Sequence, residues 1–175
     1  MRRSPADIRK VLLPVEVAET ELESRPSAAV LVLLRPADEG LEVLLGQRVR
    51  RAEDPWSGQI AFPGGHRHPE DRSPRETAER ETKEEVNLDL AGHAEILGHL
   101  APRSPGNVPR MLVVPFVAFA RAPMEPQAGP EMASTFWAPL AELPPSRGRT
   151  VVPTRVGDLT VPAFLWRGRV IWGIT

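Results

Sequence analysis

The chain has 175 residues, of which 41% are hydrophobic and 26% are charged, and its 22 basic and 23 acidic side chains leave a formal net charge of −1. Because it has no cysteine, disulfides, zinc–thiolate sites and cysteine nucleophiles are excluded. The balanced charge gives no overall attraction for nucleic acid or an anionic membrane, and no apolar run approaches the roughly 18 residues that a membrane-spanning helix needs.

These properties predict a globular protein with a single domain over residues 1–175. The first residues, Met1-Arg2-Arg3-Ser4-Pro5, are not followed by the apolar core of a signal peptide, so a cytoplasmic location is expected. Neither nucleic acid nor a membrane is expected as a partner, and a homodimer is compatible with the sequence.

The N-terminal part predicts a helix and then a hairpin. Residues 5–23 are predicted to form a helical extension, kinked at its internal proline. Two apolar runs of strand length follow, 27–35 and 41–47, and the turn-forming residues between them predict a β-hairpin. A loop rich in proline and glycine then leads to the short segment 59–62.

The clearest helix covers residues 73–87. Ser73 is a favourable N-cap, Pro74 suits the first helical position, and Glu76 follows the cap by three residues, which predicts a capping box. Asn87 can end the helix in a left-handed conformation.

Short apolar segments separated by prolines predict strands in the second half of the chain. The predicted strands are 94–100, 111–120, 132–137, 151–154, 159–164 and 170–174. A short helix is predicted over residues 139–143. Many strands and few helices in mixed order indicate an α+β fold.

Three glutamates of helix 73–87 lie close together, and two of them, Glu81 and Glu85, have no cation at a helpful helical spacing. Glu81 faces Glu84 and Glu85 three and four positions later, where like charges cost about 0.2–0.5 kcal/mol per pair. At about 100° per residue, the three side chains share one arc of the helix beside a narrow apolar stripe. Other charges of the helix have opposite partners four positions away, in the pairs Glu76–Arg80, Glu79–Lys83 and Arg80–Glu84.

A hard divalent cation, which prefers oxygen ligands, would neutralise this cluster of carboxylates. The motif Phe62-Pro63-Gly64-Gly65 precedes the helix and alone would be a plain turn. Glycines also permit close backbone approach, so a carbonyl or amide here can face a metal ion or a phosphate. Gly65 is therefore added to the candidate metal ligands Glu81, Glu84 and Glu85.

This ordered combination resembles the box of the Nudix hydrolase family, which reads glycine, five residues, an acid, seven residues, and Arg-Glu-apolar-any-Glu-Glu-any-Gly-apolar. The chain matches the box from Gly64 to Leu88, with Thr82 at the apolar position and Asn87 in place of the terminal glycine.

The stretch from Gly65 to Arg80 is one residue longer than the standard box. Glu70 and Asp71 therefore both remain as the leading acid, since spacing alone does not distinguish them.

The resemblance implies a three-layer α/β/α sandwich with a mixed central sheet and an enzyme that hydrolyses a nucleoside diphosphate linked to another group. It implies that Glu81, Glu84 and Glu85 hold Mg²⁺ or Mn²⁺, and that Arg80 orients a glutamate. The implied catalytic residues are Glu81, Glu84 and Arg80. One of the glutamates, or an acid of a later loop such as Glu131, would take the proton of the attacking water.

A narrower resemblance concerns the coenzyme A diphosphatase branch of the family. The segment Gly58–Gly65 is similar to the Gly-x-x-x-Phe-Pro-Gly-Gly that precedes the box there, and 166–175 is similar to the branch's C-terminal Trp-Gly strand. The branch signature begins with Leu-Leu-Thr and places a serine or threonine before an arginine, whereas Leu44–Arg48 reads Leu-Leu-Gly-Gln-Arg. The stretch 50–57 is also longer than the branch spacing. The implied substrate is coenzyme A or an acyl derivative, cleaved to 3′,5′-ADP and a phosphopantetheine.

Coenzyme A carries a 3′-phosphate, which arginines are expected to bind. The candidate substrate residues are Arg48, Arg50, Arg51, Arg103 and Arg110, with Trp56 as a candidate for stacking on the base. Each arginine taken singly is also compatible with a solvated surface position. His66 and His68 lack a third ligand, so exposure is expected rather than zinc binding.

Three alternatives remain. The protein is a Nudix hydrolase of ADP-ribose, nucleotide sugars or nucleoside triphosphates, a non-catalytic module that senses a nucleotide, or a structural domain whose acidic helix docks a basic partner. The retained glutamates argue against the second alternative, and metal dependence would argue against the third.

Overall fold

A computed structural model describes residues 4–21, 27–52, 57–105, 111–154, 157–173 and 175. Within these ranges the helices are α1 (Pro5–Arg9), α2 (Val15–Glu21) and α3 (Pro74–Val86), with a 3₁₀ helix at Pro144–Ser146. The strands are β1 (Ser27–Ala37), β2 (Gly40–Arg48), β3 (Ile60–Ala61), β4 (Gly64–His66), β5 (Ala94–His99), β6 (Leu112–Ala120), β7 (Met132–Pro139), β8 (Arg147–Thr154), β9 (Gly157–Trp166) and β10 (Arg169–Trp172).

Strands β1 to β7 form a mixed sheet with the order β3-β2-β1-β6-β5, in which β4 also pairs with β1 and β7 with β2. Strands β1 and β6 run parallel, and the other pairs described here are antiparallel. The predicted hairpin is confirmed, since β1 and β2 pair up to Ala37 opposite Gly40. The predicted α+β class with a mixed central sheet is confirmed as well.

The chain from β3 to β4 fills a fork between β1 and β2. Strand β2 pairs with β1 through its first half and with β3 through Gly46 and Gln47, whereas the first half of β1 pairs with β4. The Pro63 carbonyl accepts a hydrogen bond from the Leu31 N–H at 2.8 Å. The segment 63–65, which taken alone would be a plain turn, is therefore held inside the sheet, and Gly64 and Gly65 belong to a strand.

Apolar side chains cover both faces of this sheet, because alternate residues of a strand point to opposite sides. Leu31 and Leu33 pack in a cluster with Ala78 and Val86 of α3. Leu34 belongs to a second cluster on the other face. Burying one such leucine contributes about 1.5–3 kcal/mol, so this alternation fixes which face α3 covers.

The second face carries α1 and a three-stranded sheet with the order β10-β9-β8. Trp166 and Ile171 of the small sheet are buried against the central sheet. The helix predicted over residues 139–143 is wrong: residues 140–143 form a turn and the 3₁₀ helix follows at Pro144–Ser146. Pro144 and Pro145 have no backbone N–H, so they cannot donate the hydrogen bonds to the Leu140 and Ala141 carbonyls that an α-helix here would need.

The predicted helix over residues 5–23 is wrong in its middle, because residues 10–14 separate α1 from α2. Leu13 instead forms a β-bridge with His99, in which each N–H donates to the other's carbonyl at 2.9 Å. The two helices thus lie on opposite faces of the sheet, with Ile8 in one core cluster and Ala18 in the other. Of the helices in the described ranges, none has the length and hydropathy of a membrane-crossing segment.

Helix α3 begins and ends as predicted. The Ser73 hydroxyl accepts a hydrogen bond from the Glu76 N–H, and Asn87 ends the helix with φ of 55°. The expected capping box is not formed, since the Glu76 carboxylate accepts from the Arg72 N–H at 2.6 Å. Thr82, at the apolar position of the box, is fully buried and donates its hydroxyl to the Ala78 carbonyl at 2.7 Å.

The left-handed conformation of Asn87 generates a stability prediction. Asn87→Ala is expected to lower the free energy of unfolding by about 1 kcal/mol, because alanine tolerates this conformation poorly. Asn87→Gly is expected to stay within about 0.5 kcal/mol of the parent protein. Denaturant unfolding measures both values. Equal losses in both variants would contradict the backbone explanation and assign the effect to the side-chain hydrogen bond from Asn87 to Gln127.

Candidate metal centre

Helix α3 and strand β4 meet through two glutamates of the helix and two glycines of the strand. The Gly64 N–H donates to the Glu85 carboxylate at 2.9 Å. A Cβ on Gly65 would lie 2.6 Å from the carboxyl carbon of Glu81, and one on Gly64 would lie 2.4 Å from the Ala29 carbonyl oxygen. The two carboxylates therefore lie directly against the backbone of β4.

The three box glutamates differ in burial. The side chain of Glu85 is 4% exposed, that of Glu81 is 17% exposed and that of Glu84 is 60% exposed. Burial raises the pKa of Glu85 to about 7, against the opposing effects of the Gly64 N–H and Arg48. Burial also raises the pKa of Glu81, which the hydrogen bond from Arg80 opposes. Repulsion from neighbouring glutamates raises both pKa values further. The nearby arginines therefore compensate these carboxylates only in part.

Arg80 joins this cluster to a buried aspartate. Its Nε and one terminal nitrogen each donate to the Asp71 carboxylate at 3.0 Å. Its other terminal nitrogen contacts Glu81 at 2.9 Å and Glu84 at 3.3 Å. The guanidinium holds the pKa of Asp71 at about 2, and Asp71 raises the pKa of Arg80. Arg80 therefore stays charged and fixed in orientation beside the glutamates.

The structure distinguishes the two candidate leading acids. The Asp71 carboxylate also accepts hydrogen bonds from the His68 N–H at 2.8 Å and the Thr77 hydroxyl at 2.9 Å. The Glu70 side chain is 90% exposed. Asp71 is therefore the acid that supports Arg80.

Two of the ion pairs expected within the helix are not formed. Glu76 pairs with Arg72 rather than Arg80, and Glu79 pairs with Arg75 rather than Lys83. The pair between Arg80 and Glu84 is confirmed. Glu81, expected to have no partner, is bound by Arg80, because the bond to Asp71 turns the guanidinium toward it.

Arg48 contacts the cluster from strand β2. One terminal nitrogen lies 3.4 Å from the Glu85 carboxylate and the other 3.5 Å from that of Glu131. Arg48 and Glu131 are brought together because β2 pairs with β7. No local spacing signals this contact, since Arg48 lies 37 residues from Glu85 along the chain.

The other candidate substrate residues lie less close to the glutamates than Arg48 does. Arg50 and Arg51 are exposed after the end of β2, and the Arg51 N–H donates to the Ser57 hydroxyl at 2.7 Å. Arg103 is exposed and bridges to Val113 of β6, so β6 and β1 lie between it and β4. Trp56 and Arg110 lie outside the described residues. His66 and His68 are exposed, as expected.

The donors at this site fit a hard divalent cation. In the parts of the chain that the structure describes, no three histidine, aspartate or glutamate side chains are grouped so that they could hold a metal ion. Glu81 and Glu85 lie against β4, while Glu84 extends toward solvent and Arg80. The available donors are carboxylate and backbone carbonyl oxygens, which Mg²⁺ and Mn²⁺ prefer. The carboxylates of Glu85, which is buried, and Glu81, which is partly buried, have raised pKa values, and a bound cation would favour their ionised forms.

Comparison with known proteins identifies the family of this chain. Residues 24–154 match the model of the NUDIX domain, and the chain belongs to the Nudix family. It is 32% identical to the mitochondrial coenzyme A diphosphatase NUDT8 of Homo sapiens, over 90% of this chain and 69% of that protein. It is 37% identical to the uncharacterized Nudix hydrolase NudL of Photorhabdus laumondii, over 68% of this chain and 64% of that protein.

The chain spans only about a third of another relative, an uncharacterized protein of Schizosaccharomyces pombe, with 42% identity and coverage of 58% of this chain and 32% of that protein. Among solved structures, a C. elegans Ap4A hydrolase binary complex has a TM-score of 0.55 and 27% identity, covering 66% of this chain and 81% of that one. The Nudix hydrolase RenU of M. Smegmatis has a TM-score of 0.53 and 25% identity, covering 65% and 70%.

The ion pair between Asp71 and Arg80 predicts a pH-dependent contribution to stability. Asp71 has a folded-state pKa of about 2 against an ordinary 3.8, so its ionised form stabilises the fold above about pH 4 and this contribution is lost as the pH falls through about 2. Asp71→Asn is expected to lower the free energy of unfolding by about 2 kcal/mol at neutral pH. The difference from the parent protein should shrink between about pH 4 and pH 2.

Glu70→Gln is the matched control, because it neutralises the neighbouring acid, which is almost fully exposed. It should change the free energy of unfolding by less than about 0.5 kcal/mol at every pH. Denaturant titrations from pH 2 to pH 7 compare the two variants. A pH-independent loss in Asp71→Asn would contradict the role given to the ion pair.

Proposed function

We propose that this protein is a divalent-metal-dependent hydrolase that cleaves the diphosphate of coenzyme A or its acyl derivatives to 3′,5′-ADP and a phosphopantetheine. The main support is the pair of glutamates, the buried Glu85 and the partly buried Glu81, set against the glycine backbone of β4 and flanked by a fixed arginine. The likeness to NUDT8, whose name states coenzyme A diphosphatase activity, supports this substrate.

Glu81, Glu84 and Glu85, with the carbonyl of Gly65, would hold Mg²⁺ or Mn²⁺. When bound, the metal supplies neutralisation of the diphosphate charge and a lowered pKa for a coordinated water. Arg80, fixed by Asp71, orients Glu81 and Glu84.

Other residues of the chain hold the carboxylate of Glu85 and provide an acid for proton transfer. The Gly64 N–H and Arg48 hold the carboxylate of Glu85. Glu131, half exposed beside Arg48, is the acid that we assign to accept the proton of the attacking water. Arg48 thereby acts on two carboxylates in addition to its proposed contact with substrate.

Substrate recognition rests on the arginines around the site. Arg51 and Arg103 are exposed, and we assign them to the phosphates of the substrate, since guanidinium groups bind phosphate through paired hydrogen bonds. Arg110 has the same proposed role, and Trp56 is proposed to stack on the adenine base.

An alternative substrate is another nucleoside diphosphate derivative. The segment Leu44–Arg48 departs from the coenzyme A branch signature, and the chain has a structural likeness to an Ap4A hydrolase. The same metal centre serves either substrate, because both are cleaved at a phosphate anhydride.

An assay of product formation tests the chemistry. Coenzyme A, ADP-ribose and a panel of nucleoside triphosphates are each incubated with the protein and Mg²⁺, and the products are separated chromatographically. Release of 3′,5′-ADP from coenzyme A is expected, and Glu85→Gln and Glu81→Gln are expected to lower kcat by about 100-fold or more, because transition-state charge is then less well stabilised.

Glu79→Gln is the control for this assay, because Glu79 lies on the same helix and pairs with Arg75 instead. It should retain activity within about twofold of the parent protein. Turnover of another substrate would replace coenzyme A while keeping the hydrolase. Turnover that is insensitive to both Glu81→Gln and Glu85→Gln would contradict the proposed metal centre.

A comparison of coenzyme A with 3′-dephospho-coenzyme A tests the arginines. If Arg51 or Arg103 binds the 3′-phosphate, its replacement by alanine should raise KM for coenzyme A about tenfold, because one charge-assisted hydrogen bond is lost. KM for the dephosphorylated substrate should not change. Arg149→Ala, in β8 of the small sheet, is the control. Equal effects on both substrates would contradict the assignment of the arginine to the 3′-phosphate.

A further inference from the structure

The segment that precedes β7 is bound to the last turn of α3. The Gln127 N–H donates to the Val86 carbonyl at 2.9 Å, and the Gly129 N–H donates to the Glu85 carbonyl at 2.8 Å. The last carbonyls of a helix have no partner within the helix, so residues 127–129 satisfy two of them. The side-chain amide of Asn87 adds a hydrogen bond to Gln127 at 3.4 Å.

This contact requires a residue without a side chain at position 129. A Cβ on Gly129 would lie 2.2 Å from the Glu84 carbonyl oxygen and 3.0 Å from that of Glu85. Both atoms belong to the helix backbone and cannot rotate away. Any larger residue would therefore move the segment away from the helix by about 1 Å, a displacement that can cost about 100-fold in rate when it reaches a catalytic group.

The same segment carries Glu131. The Met132 N–H donates to the Gly129 carbonyl at 3.1 Å, and the Val49 N–H donates to the Glu131 carbonyl at 2.9 Å. The Glu131 carboxylate contacts Arg48, which also contacts the carboxylate of Glu85. A closed ring of contacts thus runs from the Glu85 carbonyl through Gly129, Glu131 and Arg48 back to the Glu85 side chain.

We propose that Gly129 is a positioning residue, which sets the place of Glu131 relative to the metal-binding helix by allowing residues 127–131 to dock on the carbonyls of its last turn. Gly129 acts only through Glu131 and touches no substrate. The inference rests on the proposed function, because it assigns Glu131 a part in the same reaction.

Four variants test the proposal. Gly129→Ala forces the segment away from α3, and Glu131→Gln removes the carboxylate that the segment carries. The double variant measures their coupling. Gln127→Pro removes the N–H that bonds to Val86 at an exposed position, which loosens the docking without a buried clash should Gly129→Ala fail to fold.

The control is Gly148→Ala, a second glycine-to-alanine change in the small sheet. A Cβ there would meet only the flexible end of the Leu165 side chain, at 2.9 Å. It reports the general cost of adding a methyl group at a packed glycine far from the ring of contacts.

The first measurement is steady-state kinetics. Gly129→Ala and Glu131→Gln are each expected to lower kcat about 10- to 100-fold with KM within about twofold, and the double variant should be no slower than Glu131→Gln alone. Gln127→Pro should shift kcat in the same direction, and Gly148→Ala should leave it unchanged. Multiplying effects in the double variant, or full activity in Gly129→Ala or Glu131→Gln, would overturn the proposal.

The second measurement does not depend on turnover. The N–H groups of residues 127 and 129, which bond to α3, should exchange faster in Gly129→Ala than in the parent protein. In Gln127→Pro, which has no N–H at position 127, the N–H of Gly129 should exchange faster. Exchange in β8 should stay the same in both variants. Unchanged exchange at 127–131 would overturn the proposed docking even if no tested substrate is cleaved. Failure of the proposed function would instead appear as absent turnover in the parent protein with normal protection of this segment.

Discussion

The contact between α3 and the glycine pair of β4 is the constraint on which the site depends. It places the carboxylates of Glu81 and Glu85 against backbone, away from most of the water that would otherwise solvate them. Taking an ionised carboxylate out of water costs several kcal/mol unless partners replace that water. Two carboxylates placed so close together destabilise the fold unless arginines or a cation compensate them, and this cost is the physical reason for proposing a cation site here.

The arginines beside these glutamates offset only part of their negative charge. Arg80 is shared among Asp71, Glu81 and Glu84, and Asp71 makes its strongest bonds. Arg48 is likewise divided between Glu85 and Glu131. Arg80 is therefore held in a fixed orientation by Asp71, and each of the two arginines only partly offsets the glutamates that it contacts. Burial is the main reason why the pKa values of Glu81 and Glu85 are raised, and repulsion from neighbouring glutamates adds to it.

Features set by neighbouring residues could be predicted from the sequence, and features set by distant ones could not. The N-cap at Ser73, the left-handed end at Asn87 and the hairpin between β1 and β2 each depend on a few adjacent residues. The internal proline of helix 5–23 predicts a kink, but the pairing of Leu13 with His99 of β5, which separates α1 from α2, depends on a distant residue. The contact of Arg48 with the glutamates has the same origin, because it follows from how β2, β7 and α3 assemble.

The choice of Asp71 over Glu70 shows how tertiary contacts absorb an irregular spacing. The loop between β4 and α3 holds one residue more than the standard box, and the two acids are adjacent, so counting cannot separate them. In the fold, the Asp71 carboxylate is enclosed by the His68 N–H, Thr77 and Arg80, while Glu70 faces solvent. Because the position of Arg80 is fixed by the helix, the acid that reaches it is the one that functions in the box. An insertion in this loop is therefore tolerated as long as one carboxylate can still turn inward.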